Sequence, residues 1–332
     1  MPTSILLVGA GAIGSFFASR LAQGTSTVVS AICRSNYQAV NANGFKVISS
    51  KFGEYVFTPD KTFNSPAEAR QSGMKWDLLL VATKALGSED SKLLDGLVSD
   101  DTTIALIQNG IGVEEPFIVR FPHTPIVTAT TVASVAQLKP GQIKHYRLTR
   151  TSVGPYAPHD QSTNSKAMQS ARHFVSLLQA GGLTDAELHD HSTMQFVRWH
   201  KLATNAGMNP SSVLAGGLEN HEMCNDPDFA AHLIGVMHEV LHAAEKVLGR
   251  SLPRGLPTPQ QVVRSTGRLG QGSSPSMRRD WEDGRPVELE AILGNPVRMA
   301  RAVGVEMPRV QTLYALLKKA QEKRDQRVGP KL

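Results

Sequence analysis

Between residues 196 and 210 the chain reads F-V-R-W-H-K-L-A-T-N-A-G-M-N-P, with Lys201, Asn205 and Asn209 at every fourth position. In a helix a step of four advances only about 40° around the axis, so the three would form one slanting polar stripe. Their neighbours Phe196, Val197, Trp199, Leu202, Ala203, Ala206 and Met208 are those of a helix made for burial. An ammonium donates hydrogen bonds, and an amide both donates and accepts them. The stripe is either an ordinary wet face or a lysine and two amides held against something.

A second chemistry-bearing pattern stands near the start. Ile5 to Val8 reads as a strand and Ile13 to Leu21 as a helix, joined by G-A-G-A-I-G at 9–14. Gly9 permits a tight turn, Gly11 lets backbone approach a pyrophosphate, and Gly14 allows close helix–strand contact; Ala12 and Ile13 complete the loop. Phosphates would then sit at a helix N-terminus. The next strand ends A-I-C-R-S and places Arg34 twenty residues beyond Gly14. An NAD site would usually carry an acid there for the ribose hydroxyl, whereas a guanidinium suits a 2′-phosphate, so the expected cofactor is NADP(H).

The elements that must position these residues fall into two classes. Up to about residue 190, short apolar runs alternate with amphipathic stretches, the pattern of a parallel sheet covered by helices. Strands are predicted at 27–32, 78–82, 103–107 and 126–135, with a small hairpin over 45–49 and 55–58. Another strand pair lies around His145 and at 151–154, followed by a helix from about 166 to 179. Beyond 190 strand-like runs vanish, and 192–206, 228–249, 287–303 and 309–325 have helical period. The Gly/Pro/Ser-rich pieces at 252–259 and 270–276 read as loop. The expected fold is α/β: an N-terminal Rossmann-type doubly wound domain, 1–190, and a C-terminal all-α domain, 191–332. The opening stretch falls where one gives way to the other.

At 332 residues, 41% hydrophobic and 19% charged, the chain has the composition of a globular protein with real cores. No run approaches the roughly 18 apolar residues of a membrane span, and a strand pattern beginning by Ser4 leaves no room for a leader peptide. Two cysteines, Cys33 and Cys224, are too few for a disulfide framework or a cysteine-based zinc site. The net charge of +6 is scattered rather than gathered in a stripe, which argues against nucleic acid and suits a small anionic ligand. A cytoplasmic location is expected, although the terminal Pro330-Lys331-Leu332 loosely matches a peroxisomal address. His238-Glu239-Val240-Leu241-His242 fits the literal H-E-x-x-H pattern, but no third ligand is evident and no metal is expected. The sequence leaves the oligomeric state open, a homodimer included.

Three further stretches, A-T-K-A-L at 82–86, Q-N-G-I-G at 108–112 and S-M-R-R-D-W-E-D-G-R-P-V-E-L-E at 276–290, join the glycine loop and the W-H-K-L-A-T-N helix. With G-V-E-M-P at 304–308 they make a chain-long pattern that resembles the ketopantoate reductase (2-dehydropantoate 2-reductase) family. The resemblance implies NADPH-dependent reduction of a 2-oxo acid to a 2-hydroxy acid, with ketopantoate as the first substrate and pantothenate biosynthesis as the setting. It implies that Lys201 is the general acid and that Asn205, Asn209 and Ser276 hold substrate. Pro275 departs from the usual S-S-M and leaves the register open between Ser276 and Ser274. Glu288 is the implied acid that orients the lysine or binds a substrate hydroxyl; Glu290, if helical, faces elsewhere. Lys84 is implied near the cofactor, and Asn109 beside the nicotinamide, where it helps position the lysine.

The S-S-V-L-A-G-G continuation at 211–217 departs from the family's usual sequence, so a paralogue acting on another 2-oxo acid or ketone is the alternative. A non-catalytic NADP(H)-binding sensor is the other, although a sensor has no need of a proton donor.

Overall fold

The computed structural model describes residues 1–158 and 161–328, with the side chains of 161–164 and 327–328 left out. The Pro330-Lys331-Leu332 tail lies outside the described residues. The described chain forms two compact units. The first comprises Met1–Lys84, Ser88–Gln108 and Glu114–Met194; the second comprises Ala85–Gly87, Asn109–Val113 and Gln195–Leu332.

The first unit is built on one ten-stranded sheet. Its strands are β1 (Thr3–Val8), β2 (Thr27–Ile32), β3 (Phe45–Ser49), β4 (Gly53–Phe57) and β5 (Thr62–Phe63). They continue with β6 (Leu78–Val81), β7 (Thr103–Leu106), β8 (Ile126–Lys139), β9 (Gln142–Pro155) and β10 (Ala186–Leu188). The order is β4-β3-β9-β8-β7-β6-β1-β2-β5, with β10 on β9. From β8 to β5 every pairing is parallel. Such strands are buried on both faces, which is why I-L-L-V and L-L-L-V read as unbroken apolar runs. The helices are α1 (Ala12–Leu21), α2 (Tyr37–Asn43), α3 (Pro66–Gln71), α4 (Glu115–Arg120) and α5 (Gln161–Ala180). One core joins Phe16, Phe17 and Leu21 of α1 to Phe174 and Leu178 of α5, and a second holds Trp76, Phe63 and Phe117. Because β2 lies to one side of β1 and β6 to the other, the order reverses at β1. The crevice outside the carboxyl ends of such strands is where doubly wound sheets bind ligands.

The second unit is helical. It takes α6 (His191–Leu214) from Gln195 onward, then α7 (Asn220–Asn225), α8 (Pro227–Leu248), α9 (Pro259–Gly267) and α10 (Ser276–Glu282). It ends with α11 (Asn295–Ala302) and α12 (Pro308–Val328). Its core gathers Trp199, Leu202 and Ala206 of α6, Leu233, Met237 and Val240 of α8, and Leu313 and Leu317 of α12 around Ile292 and Leu293. Among the described residues no helix is long and apolar enough to cross a membrane.

Four expectations change. The strand pair around His145 and 151–154 is one strand, β9, paired antiparallel with β8. Its irregular register and the left-handed Leu148 (φ 60°) break the alternation that a regular strand would show. The 287–303 helix is a π-turn at Glu290–Gly294 followed by α11. The helix expected over 192–206 runs on through Pro210 to Leu214; Ser211, Ser212 and Val213 are all buried, and packing outweighs the one backbone bond the proline removes. The boundary after residue 190 moves inside α6, between Met194 and Gln195, and two short pieces of the first half join the helical unit.

Candidate active site

In the first unit, β1 delivers the chain to Gly9, whose φ of 107° an L side chain rarely adopts. A Cβ there would stand 2.5 Å from the Thr83 nitrogen, so the turn after β1 lies directly on the turn after β6. At Gly14 a Cβ would meet the Gly9 carbonyl oxygen at 2.2 Å. Gly11 differs: it is exposed, and a Cβ on it would meet nothing within 4 Å. It is also the N-cap of α1, and no side chain caps that end. With no side-chain cap and no acidic residue in its first turn, this end of α1 is a setting that fits a pyrophosphate. Ala12 and Ile13 open the helix and are partly buried; Arg34 is exposed just past β2. Asn36, which sequence reasoning passed over, is buried and donates from Nδ2 to the Ala10 carbonyl at 2.8 Å, fixing the glycine loop from behind. Lys84 is partly buried at the end of the turn after β6.

In the second unit, Lys201, Asn109 and Glu288 meet. Lys201 Nζ donates to Asn109 Oδ1 at 3.0 Å, and Asn109 Nδ2 donates to Glu288 Oε2 at 3.2 Å. The amide orientation is thereby settled, with its oxygen toward the cation and its nitrogen toward the anion. Glu288 is only 4% exposed, and its other oxygen accepts from the Ala85 backbone N–H at 3.3 Å. Burial pushes the Lys201 ammonium down from 10.5 to about 8; the Arg198 charge pushes the same way and Glu288 opposes both. A lysine poised there gives up a proton near neutral pH far more readily than one in water.

Along the same stripe Asn205 is partly buried and Asn209 is 3% exposed. Asn209 Nδ2 has no hydrogen-bond partner among the described residues. A buried amide without an acceptor is costly, and a bound oxygen ligand would satisfy it. Ser276 opens α10 and is exposed; Ser274 is partly buried in the loop before it. Glu290 is engaged elsewhere, accepting from Tyr314 Oη at 2.7 Å and from Arg298 Nη2 at 2.5 Å.

Two of the histidines take structural places. His200 bonds the Pro257 carbonyl at 2.8 Å and His238 bonds Gln260. Glu239 accepts from the Arg309 and Val310 N–H groups and from the Arg309 guanidinium, which ties α8 to the start of α12. The residue that sequence reading missed outright is Arg198. It is 1% exposed, one turn before Lys201, and its Nη2 donates to the Gly110 carbonyl at 2.7 Å. Its only signal is a charge set in an otherwise apolar F-V-R-W run.

Comparison with known proteins bears on both units. The family model described as ketopantoate reductase PanE/ApbA matches residues 5–158, and that of its C-terminal part matches 193–321. A 2-dehydropantoate 2-reductase of Nostoc sp. is 29% identical over 315 residues, covering 94% of this chain and 93% of its own length. The crystal structure of 2-dehydropantoate 2-reductase from Methylococcus capsulatus superposes with a TM-score of 0.81 at 30% identity, over 97% of this chain and 98% of that one. D-mandelate dehydrogenase, solved with NADH and anilino(oxo)acetate, shares the fold at 22% identity, with a TM-score of 0.79 over 97% of this chain and 99% of its own. With the glycine loop under the first family model and the lysine helix under the second, the chain belongs to the ketopantoate reductase family of oxidoreductases.

Proposed function

We propose that this protein reduces a 2-oxo acid to a 2-hydroxy acid at the expense of NADPH, with 2-dehydropantoate reduced to pantoate as the leading substrate. The observation that carries this reading is the Lys201–Asn109–Glu288 chain, a partly buried lysine aimed by an amide that a buried carboxylate anchors. The N–H groups at the start of α1 and the Gly9–Gly14 loop hold the pyrophosphate, Arg34 takes the 2′-phosphate, and Lys84 and Asn109 serve the rest of the cofactor. When bound, the dinucleotide supplies a hydride to the carbonyl carbon.

The protein's part is the proton. As negative charge grows on the carbonyl oxygen, the Lys201 ammonium stabilises it and transfers a proton to it, leaving a hydroxyl and a neutral amine that solvent reprotonates. Asn109 keeps Nζ in one position, and Glu288 keeps Asn109 in one orientation, so little reorganisation is needed at the reacting moment. Asn205, Asn209 and Ser276 hold the carboxylate and hydroxyl ends, and the unpartnered Asn209 amide supports that assignment.

A panel of 2-oxo acids followed by NADPH absorbance tests the reading. Ketopantoate should be consumed fastest, and Lys201→Ala should abolish turnover while leaving NADPH binding nearly intact. Near wild-type turnover by that variant would sink the mechanism. A second reading, reduction of a bulkier 2-oxo acid, draws support from the D-mandelate dehydrogenase neighbour and from the unusual Ser211–Ser212 continuation. Phenylglyoxylate in the same panel decides between them.

A further inference from the structure

Asn109 follows β7 of the first unit in sequence, yet it belongs to the helical unit, where its side chain is anchored. The residues after it are pinned at three points. Arg198 Nη2 holds the Gly110 carbonyl at 2.7 Å, the Ile111 N–H donates to the Ala291 carbonyl at 3.0 Å, and Asn295 Nδ2 holds the Ile111 carbonyl at 2.8 Å. Gly110 has a φ of 88°, and a Cβ on it would stand 2.3 Å from the Ala291 oxygen, so its backbone sits hard against the π-turn. Of the three pins, the one at Gly110 acts on the residue next to Asn109 and comes from the lysine's own helix.

We propose that Arg198 is a positioning residue for the proton donor: by gripping the Gly110 carbonyl one turn before Lys201, it fixes the distance between Lys201 and the Asn109 amide. Three facts favour this over a packing role. A fully buried guanidinium is expensive and is rarely kept without a task. Its spacing of three from Lys201 puts both cations on one helix face. Its hydrogen bond is charge-assisted and directed at the carbonyl of Gly110, the residue next to Asn109. Arg198 also supplies a positive field at Nζ, where Glu288 is the opposing charge.

This inference rests on Lys201 being the proton donor, so the test has a readout apart from turnover. Arg198→Met keeps the length and loses the charge and the donor; Arg198→Lys keeps the charge and one N–H. Each is assayed for kcat and KM on the substrate found by the panel. The Lys201 amine is also titrated by NMR in protein carrying ¹³Cε-lysine, its signal assigned by its loss in Lys201→Ala. Arg198→Met should lower kcat on the order of tenfold or more, because a misplaced donor is costly, while KM changes little. Its Lys201 midpoint should rise above the wild-type value. Arg198→Lys should recover most of kcat and return the midpoint.

Arg198→Gln replaces the methionine variant should that one not fold. A folded neutral variant with wild-type kcat and an unmoved Lys201 midpoint overturns the proposal. If the wild type reduces no 2-oxo acid, the functional reading fails, and the titration alone still decides whether Arg198 governs Lys201.

Discussion

Lys201 holds its proton less tightly than a lysine in water because burial and the Arg198 charge both disfavour the ammonium. On the proposed mechanism reduction uses the protonated form, so kcat for the 2-oxo acid should be level below about pH 8 and fall as pH rises through it. Oxidation of the 2-hydroxy acid uses the neutral amine and should rise over the same interval. A reductive profile that stays flat to pH 10 would remove Lys201 from the proton-transfer step. At the other end of the chemistry, Arg34 is exposed and its guanidinium is available to a 2′-phosphate. Arg34→Ala should erase most of a preference for NADPH over NADH, read as the ratio of dissociation constants. Equal wild-type affinities would rule out the 2′-phosphate assignment. Residue types and a spacing of four made the Lys201 stripe legible before any fold was known. Arg198 was not legible, because sequence shows that a charge is present but not that it is buried.

At the scale of elements, periodicity revealed most of the parallel strands and long helices, since burial on both faces or on one stripe writes itself into the apolar pattern. What it missed are the places where backbone departs from a regular period. The π-turn at Glu290–Gly294 adds a residue to a turn and re-aims the chain just after Glu288, a device common near functional sites. Pro210 lies inside α6 because the neighbouring residues are buried, which the local rule for proline does not consider. Gly110 belongs to this class too. Its left-handed φ and its contact with Ala291 leave no room for a side chain. Gly110→Ala should cost at least about 1–3 kcal/mol from the backbone angle alone and lower turnover with it. Denaturant unfolding measures the first, and a variant as stable as wild type would show that the pinned segment yields more easily than its contacts imply.

The molecule as a whole is divided differently from its sequence. A single boundary near residue 190 was the natural reading, because that is where strand patterns stop. In the structure Ile111, only 1% exposed, belongs to the helical core, and Ala85, Val113 and Ala291 form a small cluster of their own. Such short contributions have no periodicity of their own, so the pattern of the chain could not show them. A fragment of residues 195–332 should therefore melt broadly and without cooperativity, since it leaves a core position empty and the Ala291 carbonyl without the Ile111 N–H. A sharp, cooperative melt of that fragment would show the segment to be dispensable.

The consequence reaches past stability. The amide that steadies Lys201 is encoded 92 residues before it, among the strands. A cut that removes all the strands also removes Asn109, the hydrogen-bond partner of Lys201, from the helical piece. The strand-bearing half can be traded for a foreign counterpart only if that counterpart brings an asparagine on a loop of the same reach. Variation in this chain is therefore bound across the two halves, and on the proposed mechanism a swap of the strand-bearing half is at once an alteration of the acid.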